Sequence, residues 1–136
     1  MMLTTKGKYA VTAIIDIAKN CEGRPVNLAE VAKRQNITLN YLEQIFQKLK
    51  SKGLVKSSRG PGGGYMLSNS PSNIKISHII DAVGEEVKIT RCAKGTIGCI
   101  QKGTKCITHD LWSGLDMSIR SYLDNLSISD VLSGQV

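Results

Sequence analysis

The apolar positions of this chain recur mostly at three- and four-residue spacing and mark out a succession of short helices. Tyr9, Ala10, Ala13, Ile14, Ile17 and Ala18 place one apolar stripe on a helix that starts near Thr5 and is ended by Gly23-Arg24-Pro25. Asn27 stands three residues before Glu30, a capping-box pattern that opens a shorter helix with Leu28, Val31 and Ala32 inward. Gln35-Asn36-Ile37 forms the turn after it. Thr38 caps a third helix, in which Leu42, Ile45, Phe46 and Leu49 share one side. At about 100° per residue, Asn40, Gln44, Gln47 and Ser51 point the opposite way, with Tyr41 and Lys48 flanking them. Gly53 supplies the stop.

Beyond Gly53 the pattern changes. Residues 54–58 and 65–67 read as two short strands around Arg59-Gly60-Pro61-Gly62-Gly63-Gly64, a β-hairpin with a cation at the base of its loop. Pro71 breaks the chain, and Ser77 is expected to cap a helix carrying Ile79, Ile80, Ala82 and Val83. A long helical pattern follows later, with Leu111, Trp112, Leu115, Ile119, Tyr122, Leu123 and Leu126 on it. Such a face is too apolar for open water, so it either covers the core or pairs with a second copy. Ser127-Ile128-Ser129-Asp130 caps a last short turn. The expected fold is mainly α with a small β-hairpin. It is a winged helix-turn-helix plus a long C-terminal dimerisation helix, in a single domain spanning 1–136. The nucleic-acid-reading part spans 1–83, a ligand-bearing loop 90–109 and the dimerisation helix 107–126, with Leu111, Leu115, Ile119, Tyr122 and Leu126 facing the second copy.

Charge sharpens that picture. Eleven basic residues against four acidic ones fall in residues 1–65, so this stretch carries the whole net charge of +7. Concentrated positive charge suits a polyanion, double-stranded DNA first. Asn40, Gln44 and Gln47 carry amides able to pair with base edges, adenine being their favoured match. Tyr41 and Lys48 flank them, and Arg59 can enter a narrow minor groove. Pro61 and Gly62 shape the loop, whose glycines let backbone approach phosphates. Glu43, beside this face, repels phosphate and can accept from a cytosine amino group. The glycine run is no nucleotide loop, because Tyr65 and a strand follow it where Lys-Ser/Thr and a helix are needed.

The segment CAKGTIGCIQKGTKCITH holds the remaining chemistry. Six residues separate Cys92 from Cys99 and Cys99 from Cys106, and two separate Cys106 from His109. With Gly95, Gly98 and Gly103 and little apolar mass, the segment does not offset its ordering entropy by burial. Three thiols and an imidazole form the coordination sphere of a metal or an iron–sulfur cluster. The gaps are wide for zinc, which usually pairs cysteines two to four residues apart. A cluster tolerates longer loops, so both readings stand, iron–sulfur ahead. Arg91, Lys94, Lys102 and Lys105 favour the thiolate forms. Cys21, at the end of an apolar helix, reads as a small buried hydrophobe, and His78 as a packed or surface histidine. No catalytic Ser/His/Asp or Cys/His set is present, so no enzymatic activity is expected. No apolar run reaches about 18 residues and no secretory signal pattern opens the chain, so a reducing, cytoplasmic setting is expected.

The stretches LTTKGKYAVTAIIDIA, NYLEQIFQKLKSKGLVKSSRGPGGGYML and KCITHDLW resemble the IscR-type iron–sulfur cluster regulators, dimeric winged-helix transcription regulators of bacteria. The resemblance covers about Leu3 to Leu132. It implies a [2Fe–2S] cluster on Cys92, Cys99, Cys106 and His109, with zinc or [4Fe–4S] as alternatives. It also implies a homodimer joined through the C-terminal helix, a palindromic operator, and repression of cluster-assembly genes. In the family, residues at Asn40, Tyr41, Gln44 and Arg59 read the DNA. The family's cysteine gaps hold five residues where these hold six. A relative that senses nitric oxide has three similar cysteines but lacks Cys-x-x-His, so His109 argues against that alternative.

Overall fold

The computed structural model describes residues 5–85 and 106–136. The described elements run α1 (Thr5–Asn20), α2 (Leu28–Gln35), α3 (Leu39–Ser51), β1 (Val55–Ser58), β2 (Gly64–Leu67), a 3-10 turn (Pro71–Asn73), α4 (Ile76–Ala82), α5 (His109–Asn125) and α6 (Ile128–Ser133). The helix–turn–helix–hairpin order and the long late helix are those expected from the apolar pattern. Cys92, Cys99 and most of the expected 90–109 loop lie outside the described residues.

Each turn has a local cause. The Asn27 side chain accepts from the Ala29 N–H at 2.8 Å and starts α2. Glu30 does not complete a capping box but turns to Arg34, one helical turn on, at 3.8 Å. Asn36 ends α2 in the left-handed conformation, φ 55°, which asparagine tolerates. Thr38 then caps α3 by accepting from the Tyr41 N–H at 3.3 Å.

The core forms where α1, α3 and α4 meet. Ala10, Ala13, Ile14 and Ile17 of α1 are fully buried with Leu42, Phe46 and Leu49 of α3 and Ile79 and Val83 at α4. The alanines let backbone approach backbone. Phe46 packs against Tyr65 of β2, ring centres 5.0 Å apart, and this anchors the hairpin to the helices. Cys21 is half-buried against the core, its thiol donating to the Arg24 carbonyl at 3.0 Å.

One buried charge joins α1 to α2. The Asp16 side chain is 2% exposed, and Arg34 donates to it through Nε and Nη2 at 2.6–3.2 Å. Gln35 adds a donor at 2.7 Å and Asn20 a weaker one at 3.4 Å. Burial alone pushes this carboxyl up, but the donors from Arg34, Gln35 and Asn20 outweigh it and hold it below its ordinary 3.8.

β1 and β2 pair antiparallel, Val55 opposite Leu67 and Ser58 opposite Gly64. The hairpin is also stitched to the segment before α2. Val26 donates to the Tyr65 carbonyl at 2.9 Å, and Tyr65 donates to that of Val26 at 2.8 Å. Gly64 permits this approach, since a Cβ there would lie 2.2 Å from the Val26 carbonyl oxygen.

The start of α4 corrects one expectation. Ser77 does not cap it; it lies inside the helix and is buried, and the cap position is Lys75. The cause is a second bridge, between Lys75 and Ser127. Ile76 donates to the Leu126 carbonyl at 2.8 Å and Ile128 to that of Ile74 at 3.0 Å. The chain is therefore extended up to Lys75, and the helix begins immediately after. His78 is exposed, and its Nδ1 accepts from the Lys75 N–H at 3.2 Å, the role a capping side chain would take. At α6 the expected cap is present, Ser127 and Asp130 exchanging hydrogen bonds at 3.0–3.1 Å.

Two outcomes follow. Because the folded Asp16 carboxyl lies below its ordinary value, its contribution to stability is complete above pH of about 4 and is lost as pH falls through the folded value. Asp16→Asn should therefore lower urea stability at pH 7 and flatten its decline on acidification; an unchanged acid profile would contradict this account. Gly64→Ala should cost about 1–3 kcal/mol in urea unfolding, the size of a forced clash in packed structure, by driving the hairpin off Val26.

Candidate nucleic-acid interface and metal-ligating segment

The rotation of α3 is set by what it buries. With Leu42, Ile45, Phe46 and Leu49 inward, Asn40, Gln44, Gln47 and Lys48 are exposed, as is Glu43. Three amide side chains thus stand on one free helix face. Tyr41 differs from its flanking residues: it is half-buried and packs edge-on against Tyr9 of α1, ring centres 5.9 Å apart. Its hydroxyl end is the part that can reach outward.

The hairpin tip carries Arg59, Pro61 and Gly62, all exposed. Gly63 donates to the Gly60 carbonyl at 2.9 Å across Pro61-Gly62. Gly62 takes φ 77°, the turn in which proline fits the second place and glycine the third. The hairpin is therefore a shaped wing. Lys50 fastens it to α3 by donating to the Ser57 hydroxyl at 2.8 Å, a tie that helical periodicity alone does not reveal.

Lys48 has a neighbour the sequence reading missed. Lys6, at the start of α1, reaches it and holds its ammonium below the ordinary lysine range, while Glu85 after α4 pulls the other way. Two like charges from separate helices facing one another would be relieved by an anion between them. Lys6 is also in the first turn of α1, where no acidic residue stands and backbone N–H groups favour anions.

Cys106 and His109 lie where the chain enters α5. Cys106 precedes the helix and His109 is its first residue, both half-buried. The His109 N–H donates to the Cys106 carbonyl at 3.1 Å, a turn that keeps the two residues together. Trp112 Nε1 donates to the Thr108 hydroxyl at 3.0 Å, and the Cys106 sulfur lies 3.7 Å from that hydroxyl. No group of three His, Cys, Asp or Glu side chains able to hold a metal occurs among the described residues. Thiol and imidazole donors are of the kind that hold an iron–sulfur cluster or zinc.

Along α5, Leu111, Leu115 and Tyr122 are exposed and Ile119 partly so. Leu126, expected on the same face, packs against the core instead. No helix among the described residues is long and apolar enough to cross a membrane.

A family model, Rrf2, described as an iron-dependent transcriptional regulator, matches residues 3–134. The chain belongs to the Rrf2 family. It is similar to the HTH-type transcriptional regulator IscR of Escherichia coli K12, 48% identical over 135 residues, 99% of this chain and 82% of that protein. Among solved structures, T. potens IscR aligns at 32% identity with a TM-score of 0.79, over 100% of this chain and 89% of that one. CymR of B. subtilis, titled the global cysteine regulator, aligns at 28% with a TM-score of 0.83, over 98% and 97%. This Rrf2 protein is a winged-helix, DNA-binding transcription regulator and not an enzyme. Gln44→Ala should weaken binding to a specific operator by about 1–3 kcal/mol and leave random DNA nearly unaffected, whereas Lys48→Ala should weaken both alike and reduce the salt slope by about one. Gel-shift titrations at several salt concentrations distinguish these, and equal losses on both DNAs for Gln44→Ala would remove its base-reading role.

Proposed function

We propose that this Rrf2 protein is a homodimeric repressor whose DNA binding is controlled by a [2Fe–2S] cluster, and that it regulates genes for cluster assembly. The observation that carries the reading is the donor set in the sequence, three thiols and an imidazole, of which Cys106 and His109 stand at the start of α5, a helix with exposed apolar side chains. Cys92, Cys99, Cys106 and His109 would hold the cluster. When bound, a [2Fe–2S] cluster supplies a one-electron couple and a four-point cross-link, and a histidine ligand raises the potential and adds a proton-linked bond.

The remaining roles fall to the protein's own residues. Leu111, Leu115, Ile119 and Tyr122 join α5 to that of a second copy. Each copy then presents Asn40, Gln44 and Gln47 to one half of a palindromic operator, since protein two-fold symmetry is mirrored in its site. Tyr41, Arg59, Pro61 and Gly62 contact backbone and minor groove beside them, and Lys48 a phosphate. Residues 1–83 thus read DNA, 90–109 sense, and 107–126 join the copies.

Absorption spectra with iron, sulfide and zinc analysis on protein purified without oxygen test this. Visible bands with about two iron and two sulfide per chain are expected, lost in Cys92→Ala, Cys99→Ala and Cys106→Ala while the dimer persists. Colourless protein with one zinc per chain would replace the sensor by a structural zinc module.

A further inference from the structure

Among the described residues, the attachments between the reading head and α5 differ in kind. At the C-terminal end of α5, Leu126 is extended, φ −101° and ψ 127°, and its carbonyl accepts from Ile76 at 2.8 Å. With the partner bond from Ile128 to Ile74 at 3.0 Å, this fixes one point and leaves a pivot. Leu123 packs against the core, an apolar contact without strong directional preference.

Arg120 has direction. Its Nη1 and Nη2 donate to the two Asp81 oxygens at 2.8 and 2.7 Å, a forked pair from α5 to α4. Asp124, one turn on, accepts from Nε at 3.1–3.3 Å and steadies the guanidinium. Side chains of 52% and 46% exposure make this pair modest in energy. Its value is geometric, because a planar fork fixes both distance and angle.

The leverage is large. Arg120 lies about 9 Å along the helix from the Leu126 pivot, and His109 about 26 Å, at 1.5 Å per residue. A 1 Å slip at Arg120 tilts α5 by roughly 6° and moves its start by about 3 Å. In a dimer joined along α5, the same tilt swings each reading head relative to the other.

We propose that Arg120 and Asp81 are a positioning pair that sets the angle between α5 and the reading head, and so selects the spacing between operator half-sites. This rests on the α5 dimer proposed above. Neither residue touches DNA in this reading, so their loss should alter discrimination between spacings more than affinity for a single half-site.

The test uses the full chain, purified without oxygen, and palindromic duplexes recovered by in-vitro selection from random DNA. Affinity is measured for the selected duplex and for the same duplex with one base pair inserted at its centre. Asp81→Asn and Arg120→Lys, which keeps the charge but loses the fork, should each lower the ratio of the two affinities by roughly fivefold, the low end of measured couplings between sites. Ser118→Ala, on α5 with its hydroxyl bonded within its own helix to the Gly114 carbonyl, should retain the wild-type ratio. A wild-type ratio in the Asp81 and Arg120 variants, with all proteins sedimenting as dimers, would overturn the pair's role alone. A monomeric wild-type protein would overturn the dimer reading and this proposal with it.

Discussion

A carboxylate removed from water is the constraint on which the reading head depends. Asp16 sits on the inner face of α1 among alanine and isoleucine, where a bare charge is not tolerated. The donors that satisfy it come from the last turn of α2: Arg34 and Gln35. That demand fixes where α2 ends against α1, and with it the Asn36 turn and the first residue of α3. The rotation of α3 then follows from its buried face, and the amide-bearing face is outward as a consequence. A hydrophobic contact at Asp16 would hold α1 and α2 together without specifying their register as tightly.

The wing depends on a different constraint, backbone approaching backbone. Two hydrogen bonds between Val26 and Tyr65 need Gly64 to carry no side chain. Phe46 presses on Tyr65 from the helix side, and Lys50 reaches Ser57 from the same helix. The hairpin is therefore held to α3 and to the segment that leads into α2, which ties the base of the wing to the helix that carries the amides. A reader of both grooves needs such a link, because a tip that drifted from the recognition helix would lose register with the bases.

The helices and hairpin were legible because each rests on local information: apolar spacing, Asn27 and Thr38 as caps, and a Pro-Gly turn. The outward amides were legible for the same reason, as the complement of a buried face. What escaped the sequence reading was non-local. Ser77 was expected to cap α4 because serine before an apolar run has that local signature, yet the bridge to Ser127 placed the start at Ile76. Leu126 fits the α5 stripe by periodicity, but the same bridge turns it to the core. The Asp16–Arg34 and Arg120–Asp81 pairs join residues 18 and 39 positions apart, and no periodic rule links such residues. Of the four ligand candidates, only Cys106 and His109 fall among the described residues, so the set remains legible in chemistry and not in geometry.

The stripe on α5 argues for where sensing and joining meet. Leu111 is 61% exposed and Tyr122 56%, with Leu115 on the same side of the helix. An exposed apolar stripe of this kind suits a surface that a partner covers. Cys106 and His109 stand at the start of that same helix, at the end farthest from its pivot. In the proposed reading, a group held by Cys106 and His109 acts at the long end of that lever, where a given force exerts the most torque. The amides of α3 connect to α5 through α4, which packs against both helices. In the proposed reading a signal passes from the ligand segment to the angle of α5 and then to the base-reading face, a route set by packing and not by chain order.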